Sequence, residues 1–323
     1  MLLRILANQP FNEPKFTEKK LQTNDIIFKF YNTGFTKESE KIKQCGNYLE
    51  FIFKEHQITK ENKKKLANAN FCKNRFCPVC SWRRTRNITG QLKEAFTAIQ
   101  EKEKIATLFL TLTVSNPDVK DLKSTISKMN KSFKKMSETK AFNNAVLGYF
   151  KSIEILGDKT PKGQAHPHFH ILLVVKESYF KKSDYINQKE FLQMWRDATR
   201  NQNITQVDVR RIKSKNENFS DIDSAIAETV KYSVKHSDLC KRTNEDFYYL
   251  YTQTKNLRFI SAGGILKDHL NLIKIDEDLI NLKKENEALW IEICRLIYTW
   301  QNGDYQLKEI KPPKENKEHI ENG

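Results

Sequence analysis

The sequence predicts an α+β protein, and three observations carry that expectation. Between residues 104 and 265, β-branched and aromatic runs alternate with runs whose apolar residues fall three and four apart. Their order is strand, helix, strand, strand, helix, strand, then helix, the split β-α-β arrangement of ferredoxin-like (RRM-like) antiparallel sheets. Before this region Cys72, Cys77 and Cys80 crowd one basic stretch, and after it the pattern turns helical.

Residues 1–36 mix Asn, Pro, Lys and Thr without sustained periodicity and read as an extended N-terminal arm. Residues 37–103 read as a basic, cysteine-bearing module that ends in a helix, "RNITGQLKEAFTAIQEKEK". "IATLFLTLTVS" (105–115), bounded by "NPD", reads as a buried strand. The next stretch puts Val119, Leu122, Ile126, Met129, Phe133 and Met136 on one helix face and lysines on the other. "LGYFKSIEIL" and "HFHILLVV" read as strands joined by a hairpin loop, "GDKTPKGQA". "DYINQKEFLQMWRDAT" is a helix, "ITQVDVRRIK" a strand, and "DIDSAIAETVKYSVK" (221–235) a helix capped by an early Asp. Residues 266–301 read as C-terminal helices and 302–323 as a polar, disordered tail.

A chain of 323 residues holds one large or two small domains. Its net charge of +16, from 56 Lys+Arg against 40 Asp+Glu, makes a polyanion the expected partner. No apolar run approaches the ~18 residues a membrane span needs, and the N-terminus lacks a signal-peptide pattern. The expected location is the cytoplasm, with no membrane partner and with six reduced cysteines available to metals.

"FCKNRFCPVCSWRRTR" carries Cys72, Cys77 and Cys80, and a tetrahedral Zn²⁺ site needs a fourth ligand. Cys45 is the candidate, because Gly46 after it frees the backbone to turn its amides toward a thiolate. Arg75, Arg83, Arg84 and Arg86 would then be held near a phosphate backbone as DNA-binding residues. Cys240 and Cys294 lie in helical contexts and read as small buried apolar residues.

"AHPHFHILLVV" places His166, His168 and His170 on alternate positions of a strand, so they share one face. Two chemistries compete. A histidine-triad nucleotide hydrolase would use the middle histidine as nucleophile. Alternatively, His168 and His170 bind one divalent ion. Pairing residues 149–156 with 166–175 through their hairpin brings Glu154 roughly opposite His168, which adds a carboxylate to two imidazoles. His166 is then a further ligand or a support from outside the metal shell. On the later helix, Glu228 and Tyr232 fall four apart, with Lys231 and Lys235 beside them. The Tyr232 phenol is a candidate nucleophile, provided the lysines or the metal help form the phenolate.

"FCKNRFCPVCSWRRTR", "FLTLTVSN", "HPHFHILL" and "AETVKYSVK" occur in that order. Together they resemble the replication initiation (Rep) proteins of Gram-positive rolling-circle plasmids, within the HUH endonuclease superfamily. The resemblance covers about residues 37–265 and implies an HUH nickase and strand transferase over 104–265. It implies that His168 and His170 bind Mg²⁺ or Mn²⁺ and that Tyr232 attacks the scissile phosphodiester, giving a 5′-phosphotyrosine. Glu228 resembles the carboxylate that activates water for terminal hydrolysis, and Lys231 or Lys235 would orient the phosphate or leaving group. The implied partners are single-stranded and supercoiled plasmid DNA at the double-strand origin, with host helicase and polymerase. Glu154 and the four-cysteine set rest on spacing and pairing rather than on the resemblance. A non-catalytic, zinc-containing origin binder or repressor is the remaining rival, and relaxases and single-tyrosine transposases share the chemistry.

Overall fold

Pro14 opens a helix. The structure is a computed structural model that describes residues 11–181, 185–211, 221–230, 234–271, 278–280 and 288–314. It begins with α1 (Pro14–Leu21), α2 (Thr23–Asn32) and α3 (Thr36–Gln44). Proline suits the first helical position, where its missing N–H would have no partner. Phe16, Ile26, Phe30 and Ile42 are buried and hold the three helices down. The expected extended arm is therefore corrected from residue 14 onward; residues 1–10 lie outside the described residues. Helices of 8, 10 and 9 residues are too short to declare a period in the sequence.

The chain continues through β1 (Tyr48–His56), β2 (Asn62–Ala69) and the long α4 (Pro78–Gln100). Then follow β3 (Ile105–Thr113), α5 (Leu122–Ser137), α6 (Lys140–Ala145), β4 (Gly148–Glu154) and β5 (His168–Lys176). After them come α7 (Gln188–Thr199), β6 (Asp208–Arg211), α8 (Asp221–Thr229), α9 (His236–Cys240) and α10 (Asn244–Thr254). β7 (Ile260–Gly264), α11 (Ile265–His269), β8 (Trp290–Gln301) and β9 (Asp304–Lys311) complete it.

Two antiparallel sheets organise the molecule. The first, β6-β3-β5-β4-β7, places β5 between β3 and β4, which run parallel to each other and are linked through α5. That is a split β-α-β unit, repeated when β5 and β6 flank β3. α4 and α8 cover one face through Leu92, Phe96 and Ile226 on Phe150, Leu172 and Val174. α5 and α7 cover the other through Met129, Phe133 and Trp195 on Ile153, Phe169 and Ile171. The alternation along β5 therefore decides which side chains meet α8, and the histidines fall on that side. β7 escaped the sequence reading because "ISAGG" is short and glycine-rich.

The second sheet, β2-β1-β8-β9, corrects both C-terminal expectations. Residues 290–301 are a strand, not a helix, and only 265–269 at the start of that region is helical among the described residues. Cys294, Leu296 and Tyr298 face a core with Phe16, Phe51 and Trp82, and pair with Phe53, Phe51 and Leu49 of β1. The apolar run of β8 also satisfies helical spacing, so only this pairing decides the element. The expected disordered tail is corrected at β9. Asn302 and Gly303 take φ values of 52° and 85°, as a two-residue hairpin requires, and that Asn-Gly pair was a readable signal. The cysteine segment thus takes half of its sheet from the far end of the chain. Among the described residues no helix is long and apolar enough to cross a membrane.

Candidate functional site

Glu154 ends β4 directly opposite His168 on β5, and Ser152 faces His170. The hairpin register expected from the sequence is met. Three ligand atoms converge: Glu154 Oε2 lies 3.2 Å from His168 Nε2 and 2.9 Å from His170 Nε2, and the two Nε2 atoms are 3.0 Å apart. All three residues are buried. Adjacent ligand atoms of an octahedral Mg²⁺ site lie about 3.0 Å apart, given bonds of ~2.1 Å. The cluster fits three adjacent positions of such a shell. His168 Nδ1–H donates to the His166 carbonyl at 2.9 Å, which orients the ring and turns Nε2 toward the cluster. Burial raises the Glu154 carboxyl, but hydrogen bonds from His168 and His170 and their charge outweigh it and hold the group at about 2. A buried carboxylate beside two imidazoles is a donor set that could hold a divalent cation.

The other histidine stands outside that set. His166 Nδ1 meets Asn116 Oδ1 at 2.6 Å, and its carbonyl orients His168. The α8 carbonyl of Thr229 accepts from Ser152 Oγ at 2.7 Å, so the end of α8 is fixed beside the cluster. Glu228 pairs with Arg210 of β6 at 3.2 Å, Arg210 lies over the Phe109 ring, and Phe109 stacks on His170. Lys235 pairs with Asp158 at 3.2 Å. Burial lowers the Lys235 ammonium, yet the Asp158 bond and the Glu154 charge raise it above its ordinary value. Lys231 and Tyr232 lie outside the described residues. On either side of them Val230 and Val234 line a narrow cleft with Arg75, Phe150 and Ser152.

Cys45 follows α3, Cys72 follows β2, and Cys77 and Cys80 begin α4. The Sγ atoms of Cys45 and Cys80 are 3.4 Å apart, and those of Cys72–Cys80 and Cys45–Cys77 are 3.6 Å apart. A tetrahedral zinc with ~2.3 Å bonds sets its sulfurs about 3.8 Å apart, so the four thiols fit a Zn²⁺ site. The Cys72 N–H donates to Cys45 Sγ at 3.3 Å. Burial pushes the Cys77 and Cys80 thiols up, a cost that a bound cation would remove. Gly46, at φ 71°, turns the chain here, and Tyr305 of β9 donates to its carbonyl at 2.7 Å.

The sequence model of the family described as "Replication protein" matches residues 63–307. A "Protein rep" from Staphylococcus aureus is 36% identical over 249 residues, which cover 76% of this chain and 99% of that protein. Another from Streptococcus pneumoniae serotype 2 is 31% identical over 275 residues, covering 84% and 79%. A third from a Bacillus species is 32% identical over 295 residues, covering 85% and 93%. The chain belongs to the Rep family of plasmid replication proteins. No solved structure matches it.

Within this Rep chain the matched span includes Cys72, Cys77, Cys80, Glu154 and both buried histidines, while Cys45 precedes it. The four arginines expected to face DNA divide. Arg83 is buried, donating from Nε to the Leu279 carbonyl at 2.7 Å and from Nη2 to that of Ile280 at 3.1 Å. Arg84 is buried too and donates to the carbonyls of Lys73 and Asn74, bracing the loop between Cys72 and Cys77. The expectation that these two face a phosphate backbone is corrected: α4 turns them inward, where they satisfy carbonyls. Arg75 lies over the Phe259 ring and lines the cleft beside Val230, and Arg86 is exposed over Trp82.

Proposed function

We propose that this protein initiates rolling-circle replication as an HUH endonuclease, nicking one strand at the plasmid's double-strand origin. The observation that carries the reading is the convergence of Glu154, His168 and His170 on one point of the sheet in a Rep-family chain. In this reading those residues hold Mg²⁺ or Mn²⁺, which when bound supplies Lewis acidity toward a nonbridging phosphate oxygen. Tyr232, as phenolate, forms a bond to the scissile phosphorus while the bond to the 3′ oxygen breaks. The leaving oxygen takes up a proton from water, so the products are a 5′-phosphotyrosine and a 3′-hydroxyl that primes synthesis. Lys235, or Lys231, steadies the phosphate or the leaving oxygen. Glu228 activates water for terminal release, and the four cysteines hold a structural Zn²⁺. The scissile region must be single-stranded, as in an extruded hairpin on supercoiled plasmid DNA. Host helicase and polymerase act next.

A histidine-triad hydrolase is disfavoured because His168 and His170 share one carboxylate, which leaves neither as a free nucleophile. The test is a denaturing gel of protein incubated with origin oligonucleotides labelled on either side of the nick, plus Mn²⁺. A covalent adduct on the 3′-side fragment is expected, and Tyr232→Phe abolishes it. No adduct on any single-stranded or supercoiled origin overturns the reading.

A further inference from the structure

Away from both centres, α2 and α9 bring together Asp25, His236 and Cys240. His236 and Cys240 are four residues apart and share a helix face. His236 Nε2 lies 3.3 Å from Cys240 Sγ and 3.3 Å from Asp25 Oδ2. Both partners therefore meet the same ring nitrogen. A Cys-His-Asp relay would place the thiol on one nitrogen and the carboxylate on the other. This arrangement converges on a point instead. In a tetrahedral zinc shell, bonds of ~2.0–2.3 Å put mixed N, O and S ligands about 3.4–3.6 Å apart, close to the distances here.

We propose that Asp25, His236 and Cys240 form a second zinc-type site, holding Zn²⁺ with a fourth position open to water. Burial pushes the free Cys240 thiol up to about 11, so it is no activated nucleophile; a bound cation would convert it to thiolate. The ion would tie α2 to α9, the helix that follows Val234 and Lys235 beside the Glu154 cluster. Ligand chemistry of one thiolate, one imidazole and one carboxylate favours zinc over magnesium or calcium. The site does not depend on the nicking reading, and nothing in its test involves DNA.

The experiment equilibrates the full chain against buffered Zn²⁺ and counts zinc per chain. Zinc at the four-cysteine and Glu154 centres is common to every variant and cancels. Wild type is expected to hold one more zinc than Cys240→Ser, and Asp25→Ala to raise the dissociation constant of that ion at least about tenfold. Asp25 is exposed, so its variant tests the site without disturbing the core. In parallel, Zn²⁺ at ten times its dissociation constant is expected to slow iodoacetamide labelling of Cys240 about tenfold by mass action. Equal zinc counts in wild type and Cys240→Ser overturn the proposal. So does the same zinc affinity in wild type and Asp25→Ala.

Discussion

Glu154 and His168 face each other across the β4–β5 ladder, and Glu154 Oε2 lies 3.2 Å from His168 Nε2. The same oxygen reaches His170, so one carboxylate organises both imidazoles. Glu154→Gln keeps the shape and removes the charge. Mn²⁺ affinity, read by titration calorimetry, is expected to fall tenfold or more, with adduct formation falling in step at low Mn²⁺ and partly recovering at high Mn²⁺. Because the ligands must be deprotonated to bind a metal, wild-type affinity should also drop on acidification. An unchanged affinity in Glu154→Gln would remove the carboxylate from the metal site.

The cysteine cluster makes a separate claim. Cys72→Ser is expected to lower zinc content by one per chain and to destabilise the α4 end of the molecule. Tyr305→Phe leaves the buried Gly46 carbonyl without its donor. It should cost about 1–3 kcal/mol in urea unfolding while keeping the zinc. Zinc content that stays the same in Cys72→Ser would contradict the assignment.

Glu228 pairs with Arg210 of β6, at 3.2 Å. Glu228→Ala is expected to leave nicking within a few fold of wild type while terminal release slows by about tenfold or more, as for loss of a general base. Arg210→Ala removes one partner of Glu228 and should give the same pattern more weakly. Quench-flow measurement of nicking and release separately checks both. Equal loss of the two steps in Glu228→Ala would end the division of labour with Tyr232.

The sheet and the convergence of Glu154, His168 and His170 were legible because their signals are local. The alternation in "HPHFHILLVV" fixes one face, and a hairpin fixes what lies across it. Cys45 was reachable through Gly46, whose positive φ the turn needs. The rest depends on pairing between distant segments. Nothing local in "WIEICRLIYTW" tells a strand from a helix until β1 lies beside it. Likewise Arg83 and Arg84 carry the same sequence signal as Arg86. Only the facing of α4 sends two of them to carbonyls and leaves one exposed. Asn302-Gly303 was legible and was outweighed by the polar composition around it.

Lys151 gives a pH test independent of the metal. It is buried beneath the sheet, with its ammonium 3.8 Å from the Phe169 ring centroid and bonded to Asn130. Burial lowers its pKa to about 7. The unfolded chain holds the proton up to ~10.4, so between about pH 7 and 10 the unfolded state binds more protons. Stability contributed by this residue therefore rises with pH across that window and is lowest below it. Lys151→Met is expected to raise stability at pH 7 by roughly 1–3 kcal/mol and to flatten that rise. Urea midpoints measured from pH 6 to 10 decide it.

Arg83 and Arg86 sit on the same helix and should fail in opposite ways. Burial drops the Arg83 guanidinium to about 9, and its two backbone bonds fix the segment at 279–280 against α4. Arg83→Ala opens space beside Phe16 and Trp82 and strands two carbonyls. It is expected to cost about 2–4 kcal/mol of stability. Its DNA affinity, measured on the folded fraction, should keep the wild-type salt dependence. Arg86 is exposed and lines a cleft with Lys63, Lys64, Lys65 and Lys93. Arg86→Ala should change stability by less than about 0.5 kcal/mol. Losing one phosphate contact, it should lower the slope of log K against log salt by about 1. Fluorescence anisotropy with duplex DNA across a salt series, beside urea unfolding, separates the two. A shallower salt slope in Arg83→Ala, at wild-type stability, would return that residue to the DNA surface.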